Sequence, residues 1–135
     1  MTDIDKAKSL LTGDNTCVVV KGKNVLISQM TGIRPMMEYI KEGKDLKGFS
    51  VADKIVGKAV AMLFRKAGIK EVYAEVLSES ALKFLKRENV KVTYNVLTDK
   101  IINRAKTGIC PMEATVLNIE DFEKGYLALR EKTGI

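Results

Sequence analysis

Residues 51–67 constrain the fold more than any other stretch, because their apolar positions recur at helical spacing. Ile55, Val56, Ala59, Val60, Leu63, Phe64 and Ala67 fall on one stripe. Ser50 stands where such a helix opens, and Gly68 stands where it should stop. Gly57 and Ala61 offer small surfaces for close packing. The spacing predicts a helix over 51–67 around which the remaining elements are arranged.

Those elements read in a consistent order. Residues 3–11 form a short amphipathic helix carrying Ile4, Ala7, Leu10 and Leu11. Thr2 and Asp5 have capping-box spacing, and Gly13 follows as a stop. Residues 16–21 and 24–29 are β-rich runs joined by Gly22-Lys23, a two-residue turn with glycine first, as a type II′ hairpin requires. Pro35–Lys41 reads as a short helix and Glu71–Leu77 as a strand. Ser78 caps a helix to about Arg87, and Val90–Val96 alternates as a further strand. Thr98 is expected to cap a short helix to about Ala105. Pro111 opens another, although residues 114–119 also suit a strand. Asn118 and Asp121 open a last helix to about Lys132. A hairpin is antiparallel and a parallel crossover needs a helix, so hairpin-first strands followed by βαβ units give a mixed sheet. The α/β class follows, as one domain over residues 1–135.

Composition narrows the chemistry. The 135 residues contain no histidine, which removes Ser-His and Cys-His pairs, imidazole acid–base catalysis and histidine metal sites. The two cysteines, Cys17 and Cys110, are too few for a disulfide framework. No apolar run approaches the ~20 residues of a membrane span, and the acidic start differs from a signal peptide, so a cytoplasmic location is expected. The net charge of +6 suits an anionic ligand. Its lysines and arginines are dispersed, without a basic block, which argues against nucleic acid as the main partner. No phosphate-loop or dinucleotide fingerprint is present.

The stretch FSVADKIVGKAVAMLFRKAGIKEVYAEVLSESALKFL resembles the centre of a cytidine deaminase. In such enzymes a His/Cys-Ala-Glu motif opens one helix and Pro-Cys-x-x-Cys the next. Val51-Ala52-Asp53 and Ser78-Glu79-Ser80-Ala81-Leu82 stand where these belong. The segments TGIRP, ADKIVGKA and GICPME, and nearly the whole chain around them, are similar to an uncharacterised bacterial and archaeal family, domain of unknown function 1893. The resemblance implies a three-layer α/β/α, cytidine deaminase-like fold. Val51 cannot ligate a metal and residues 78–82 hold no cysteine, so no metal or other cofactor is expected, and conventional zinc-dependent deamination is excluded.

The same positions supply the candidate site. Asp53 reads as a helix cap, in capping-box spacing with Ser50, that can also face a ligand. Cys110, before Pro111, reads as a helix N-cap where a thiol is acidified, or as a residue closing a turn. Glu113 compensates the same helix dipole. Arg34 is placed to clamp a phosphate or carboxylate. Lys54 and Lys58, four apart on the expected helix, share a face that lines an anionic pocket or covers the helix's outer side. Cys17 belongs to the core. The first functional expectation is a non-zinc binding module for a nucleobase, nucleotide or other anion, between the helix starts at Asp53 and Cys110, with Arg34 and Lys54 adding charge. The alternatives are an enzyme using the Cys110 thiolate, with Asp53 or Glu113 handling protons, and a basic-surface partner or nucleic-acid-associated protein that works as an oligomer, with a homodimer allowed.

Overall fold

In the computed structural model, residues 1–102, 106 and 108–135 are described. Among these residues eleven elements follow one another: α1 (Asp3–Leu10), β1 (Cys17–Lys21), β2 (Asn24–Ser28), α2 (Arg34–Lys41), β3 (Ser50–Val56), α3 (Lys58–Ala67), β4 (Glu71–Ser78), α4 (Glu79–Arg87), β5 (Lys91–Thr98), α5 (Pro111–Val116) and α6 (Phe122–Thr133). The strands form one sheet in the order β2-β1-β3-β4-β5. β1 is antiparallel to β2 and β3, whereas β3, β4 and β5 run parallel. The fold is α/β with a mixed sheet, as expected.

Local chemistry fixes the hairpin and several helix ends. Gly22 takes a φ of +59° in the two-residue turn, and Lys23 has no positive φ, the pattern of a type II′ turn. Thr2 and Asp5 complete their capping box at the start of α1. Ser78 accepts from the Ala81 N–H at 3.1 Å and opens α4. Asp121 accepts from Lys124 and opens α6. Of residues 114–119, open between helix and strand, 114–116 close the α5 helix and none belongs to a strand.

The largest departure is the segment expected to begin the central helix. Ser50–Val56 is a central strand, and the helix begins only at Lys58. Val51, Ala52, Val56 and their neighbours satisfy a helical stripe and a doubly buried strand equally well, because a short apolar run carries both periods. Long-range pairing decides it, since β3 is hydrogen-bonded on both sides, to β1 and to β4. Ile55, assigned to the buried stripe, is 54% exposed. The strand after α4 is also shifted. Val90 and Val92 meet the core, but Tyr94 and Val96 are exposed at the sheet edge. Thr98 ends β5 instead of capping a helix, and residues 99–102 are not helical. The remainder of that expected helix, residues 103–105, lies outside the described residues.

The strands separate two apolar layers. On one face Ala7 of α1 packs with Val18, Val20 and Ala52. On the other, Cys17, Val19, Val51, Val72 and Ala74 meet α2, α3, α4 and α6 in the main core, where Met36, Met37, Leu63 and Phe64 are essentially inaccessible. Glu75 lies in neither. Its carboxylate accepts from the Tyr73 hydroxyl at 2.8 Å and the Asn95 amide at 3.0 Å. No helix is long and apolar enough to cross a membrane among the described residues.

α6 reaches α3 through Gly125, buried in mid-helix. A Cβ there would meet the sulfur of the fully buried Met62 at under 3.0 Å. Gly125→Ala should therefore cost about 1–3 kcal/mol despite its gain in helix propensity, read as a lower urea midpoint with an unchanged slope.

Candidate functional site

The ends of the three parallel strands place the residues that converge. After β3 come Gly57 and Lys58, after β4 Glu79 and Ser80, and after β5 residues 99–101. This is the end of a parallel sheet where α/β proteins bind ligands. A cleft of about 510 Å³ opens there between α3, α4 and α5, floored by Phe84 and walled by Ile101, Ile109 and Leu117.

Its inner wall is a carboxylate seated on a helix start. α3 has no side-chain cap of its own and no acidic residue in its first turn. Glu113 of α5 supplies both, with Oε1 accepting from the Lys58 N–H at 2.7 Å and Oε2 from the Ala59 N–H at 2.8 Å. Burial pushes the Glu113 carboxyl above the usual glutamate range, opposed by these two amides. Gly57 makes the approach feasible. Its φ of −100° is ordinary, but a Cβ would lie within 2.7 Å of both carboxylate oxygens. GICPME and ADKIVGKA, far apart in the chain, thus meet at Gly57 and Glu113.

Cations line the rest of the cleft. The Lys58 ammonium, on a side chain only 8% exposed, donates to Glu120 Oε1 at 3.0 Å and to the Leu117 carbonyl at 3.3 Å. Arg87 of α4 holds the other Glu120 oxygen at 2.5 Å and the Glu120 carbonyl at 2.6 Å. Hydrogen bonds from Lys58 and Arg87 hold the Glu120 carboxyl below the usual range. Lys83 and Lys100 also line the cleft, and among the described residues neither has a carboxylate partner. Glu79 and Asp99 complete the lining as acceptors.

Most of the residues expected to form one site are dispersed. Arg34 starts α2, and Lys54 turns to the opposite side of the sheet, donating to the Gly13 carbonyl at 2.7 Å. Lys54 and Lys58 do not share a helix face, because one is in a strand. Cys110 precedes α5, half-buried, with its N–H donating to the Ile101 carbonyl, and it does not line the cleft. Of the expected residues, Glu113 and Lys58 lie there. Lys83, Arg87, Lys100 and Glu120 were not anticipated. The i, i+4 spacing of Lys83 and Arg87 was a readable signal, but the pairing of Glu120 with two distant elements was not.

Asp53 is not a helix cap. It lies in β3 directly opposite Cys17 of β1 and is 6% exposed, while Ser50 points to the other sheet face. The Cys17 thiol donates to its carboxyl and the Ile55 N–H approaches at 3.3 Å. These bonds do not offset desolvation, and burial pushes the Asp53 carboxyl up to about 7. Burial and the neighbouring Asp53 push the Cys17 thiol up as well, which makes it an inert core residue.

A scan of family models matches residues 5–133 to a domain of unknown function, DUF1893. The chain belongs to the DUF1893 family. A DUF1893 protein from Thermotoga maritima has a crystal structure that superposes with a TM-score of 0.87 at 25% identity, covering 98% of this chain and 91% of that one. Two deaminase structures are similar over part of the chain. A diaminohydroxyphosphoribosylaminopyrimidine deaminase/5-amino-6-(5-phosphoribosylamino)uracil reductase from Thermotoga maritima has a TM-score of 0.46 and 20% identity, over 61% of this chain and 29% of that one. The dCMP deaminase of cyanophage S-TIM5 has a TM-score of 0.47 and 15% identity, over 67% and 92%. No curated protein matches the chain.

A zinc ion does not fit this DUF1893 chain. Val51-Ala52-Asp53 lies within a strand, histidine is absent, and among the described residues no three Cys, Asp or Glu side chains converge on one point. The start of α3 is already occupied by Glu113.

Two outcomes follow from the two buried carboxyls. Gly57→Ala should expel the Glu113 carboxylate and leave two buried N–H groups unpaired, at about 2–4 kcal/mol, seen as a lower denaturant midpoint. For Asp53, an ordinary value of 3.8 rises to about 7 in the folded chain. Below about pH 4 both states are protonated. Between these values only the unfolded chain ionises, so stability falls with rising pH, and the loss is complete above pH 7, amounting to at most about 4 kcal/mol. Asp53→Asn should remove this slope, making the variant more stable than the parent at pH 8 but not at pH 4, as chemical denaturation at both pH values would show.

Proposed function

We propose that the protein is a non-zinc binding protein for a small phosphorylated ligand of nucleotide size, held in the cleft at the carboxyl ends of β3, β4 and β5. The supporting observation is the convergence of Lys58, Lys83, Arg87 and Lys100 on one cleft, two of them without a carboxylate partner among the described residues. A phosphate supplies the charge that Lys83 and Lys100 lack. Glu79 and Asp99 accept hydrogen bonds from hydroxyl or amino groups, and Ile101, Ile109 and Leu117 offer an apolar wall to a flat ring. The volume of about 510 Å³ lies in the usual range for small-molecule sites.

This reading moves the site from Asp53, Arg34 and Lys54 to α4 and the segment after β5. It retains Glu113, as the wall that positions α3 and not as a ligand contact. Titration of nucleoside monophosphates and inorganic phosphate by calorimetry tests it. The expected result is saturable binding of a nucleoside monophosphate that Lys83→Glu or Lys100→Glu weakens more than tenfold. Lys54→Glu, on the opposite side of the sheet, should leave it unchanged. Equal loss in all three variants would reduce the effect to net charge, and no binding would refute the reading.

A further inference from the structure

The two edges of the sheet are treated differently. β2 is a five-residue strand that ends in buried Ser28. β5 is eight residues long, contains neither proline nor glycine, and has six exposed residues. Among the described residues it pairs only with β4. Natural edge strands are normally shortened, bulged, charged or covered, because unpaired N–H and C=O groups recruit another strand. β5 carries one charge, Lys91, at its start. Its middle instead exposes Tyr94 at 42%, Val96 at 48% and Leu97 at 39%.

We propose that β5 pairs antiparallel with β5 of a second copy of this chain, about a two-fold axis through Asn95, joining two five-stranded sheets into one. This register is selected by side-chain chemistry. With Asn95 facing itself, Tyr94 faces Val96 of the partner subunit, an aromatic and β-branched pair on one sheet face. Thr93 faces Leu97 of the partner subunit. Lys91 comes level with Asp99 of the partner subunit, the residue that directly follows β5, so opposite charges meet where each paired strand ends. Lys91 is free to reach it, since its side chain is 74% exposed and its Glu71 contact is long, at 3.8 Å. Moving the axis to Tyr94 or Val96 separates these charges. A two-fold contact repeats each favourable pair twice, which is how a short strand accumulates affinity. The inference shares only Asp99, which follows β5 and also lines the cleft, with the ligand reading.

Light scattering and cysteine trapping test it on the full chain. The wild type should have twice the 15.0 kDa monomer mass. In a Cys110→Ser background, Asn95→Cys should oxidise to a covalent dimer, since directly opposed strand residues lie within disulfide reach. Asn24→Cys on the other edge should not. Lys91→Asp and Asp99→Lys should each weaken dimerisation roughly tenfold, and the double exchange should restore it. A monomeric wild type, equal cross-linking at Asn95 and Asn24, or a double exchange no better than either single change would overturn the proposal.

Discussion

The rest of the structure depends on one carboxylate, that of Glu113, and on the absence of a side chain at Gly57. α3 is the helix on which α4, α5 and α6 pack, and it begins without a cap of its own. A buried helix start with unpaired N–H groups is costly, and charge-assisted bonds are the strongest available remedy. Glu113 provides two such bonds across more than fifty residues of chain. In doing so it ties α5 to the end of β3 and fixes where the following segment must run. Glu120, on that segment, then falls between Lys58 and Arg87 and ties α3 to α4. The cleft is the space these ties leave open.

The element order, the hairpin turn and most helix caps were readable because each rests on contacts within a few residues. Thr2 with Asp5, Gly22 with Lys23, and Ser78 with Ala81 are local bargains that any surrounding fold would permit. The strand at 50–56 was not, because its identity depends on partners in β1 and β4. With Ser50–Val56 read as helix, Asp53 reads as a cap and Lys54 as a neighbour of Lys58, and the expected site falls at the start of that segment. The same limit hid Lys83, Lys100 and Glu120, whose importance lies in three-dimensional convergence. Glu113 was found, but for its own helix dipole and not for α3.

Asp53 shows how the core uses polarity differently from the cleft. Opposite Cys17 in the centre of the sheet, it meets a weak thiol donor and backbone N–H groups of Ile55, at 3.3 Å, and Lys54. A carboxyl pushed up to about 7 is largely protonated below that pH and ionises above it, and a protonated acid is a hydrogen-bonding group without a charge. It is therefore a stability determinant sensitive to pH, far better suited to holding β1 against β3 than to contacting an anion.

The start of α3, with its run of N–H groups, is here spent on structure. Glu113 neutralises the positive end of α3, so an incoming anion gains nothing from that dipole. Attraction must come from side chains, and the cations of the cleft are divided accordingly. Lys58 and Arg87 are committed to Glu120 and act as scaffold. Under the proposed ligand reading, Lys83 and Lys100, which have no carboxylate partner among the described residues, supply the field. Long, flexible lysines around a rigid, internally paired floor favour recognition of a charged group by attraction rather than by fixed bidentate geometry. Such a site tolerates variation in the rest of the ligand, limited by the apolar wall of Ile101, Ile109 and Leu117. Specificity would then reside in that wall, and affinity in the two lysines.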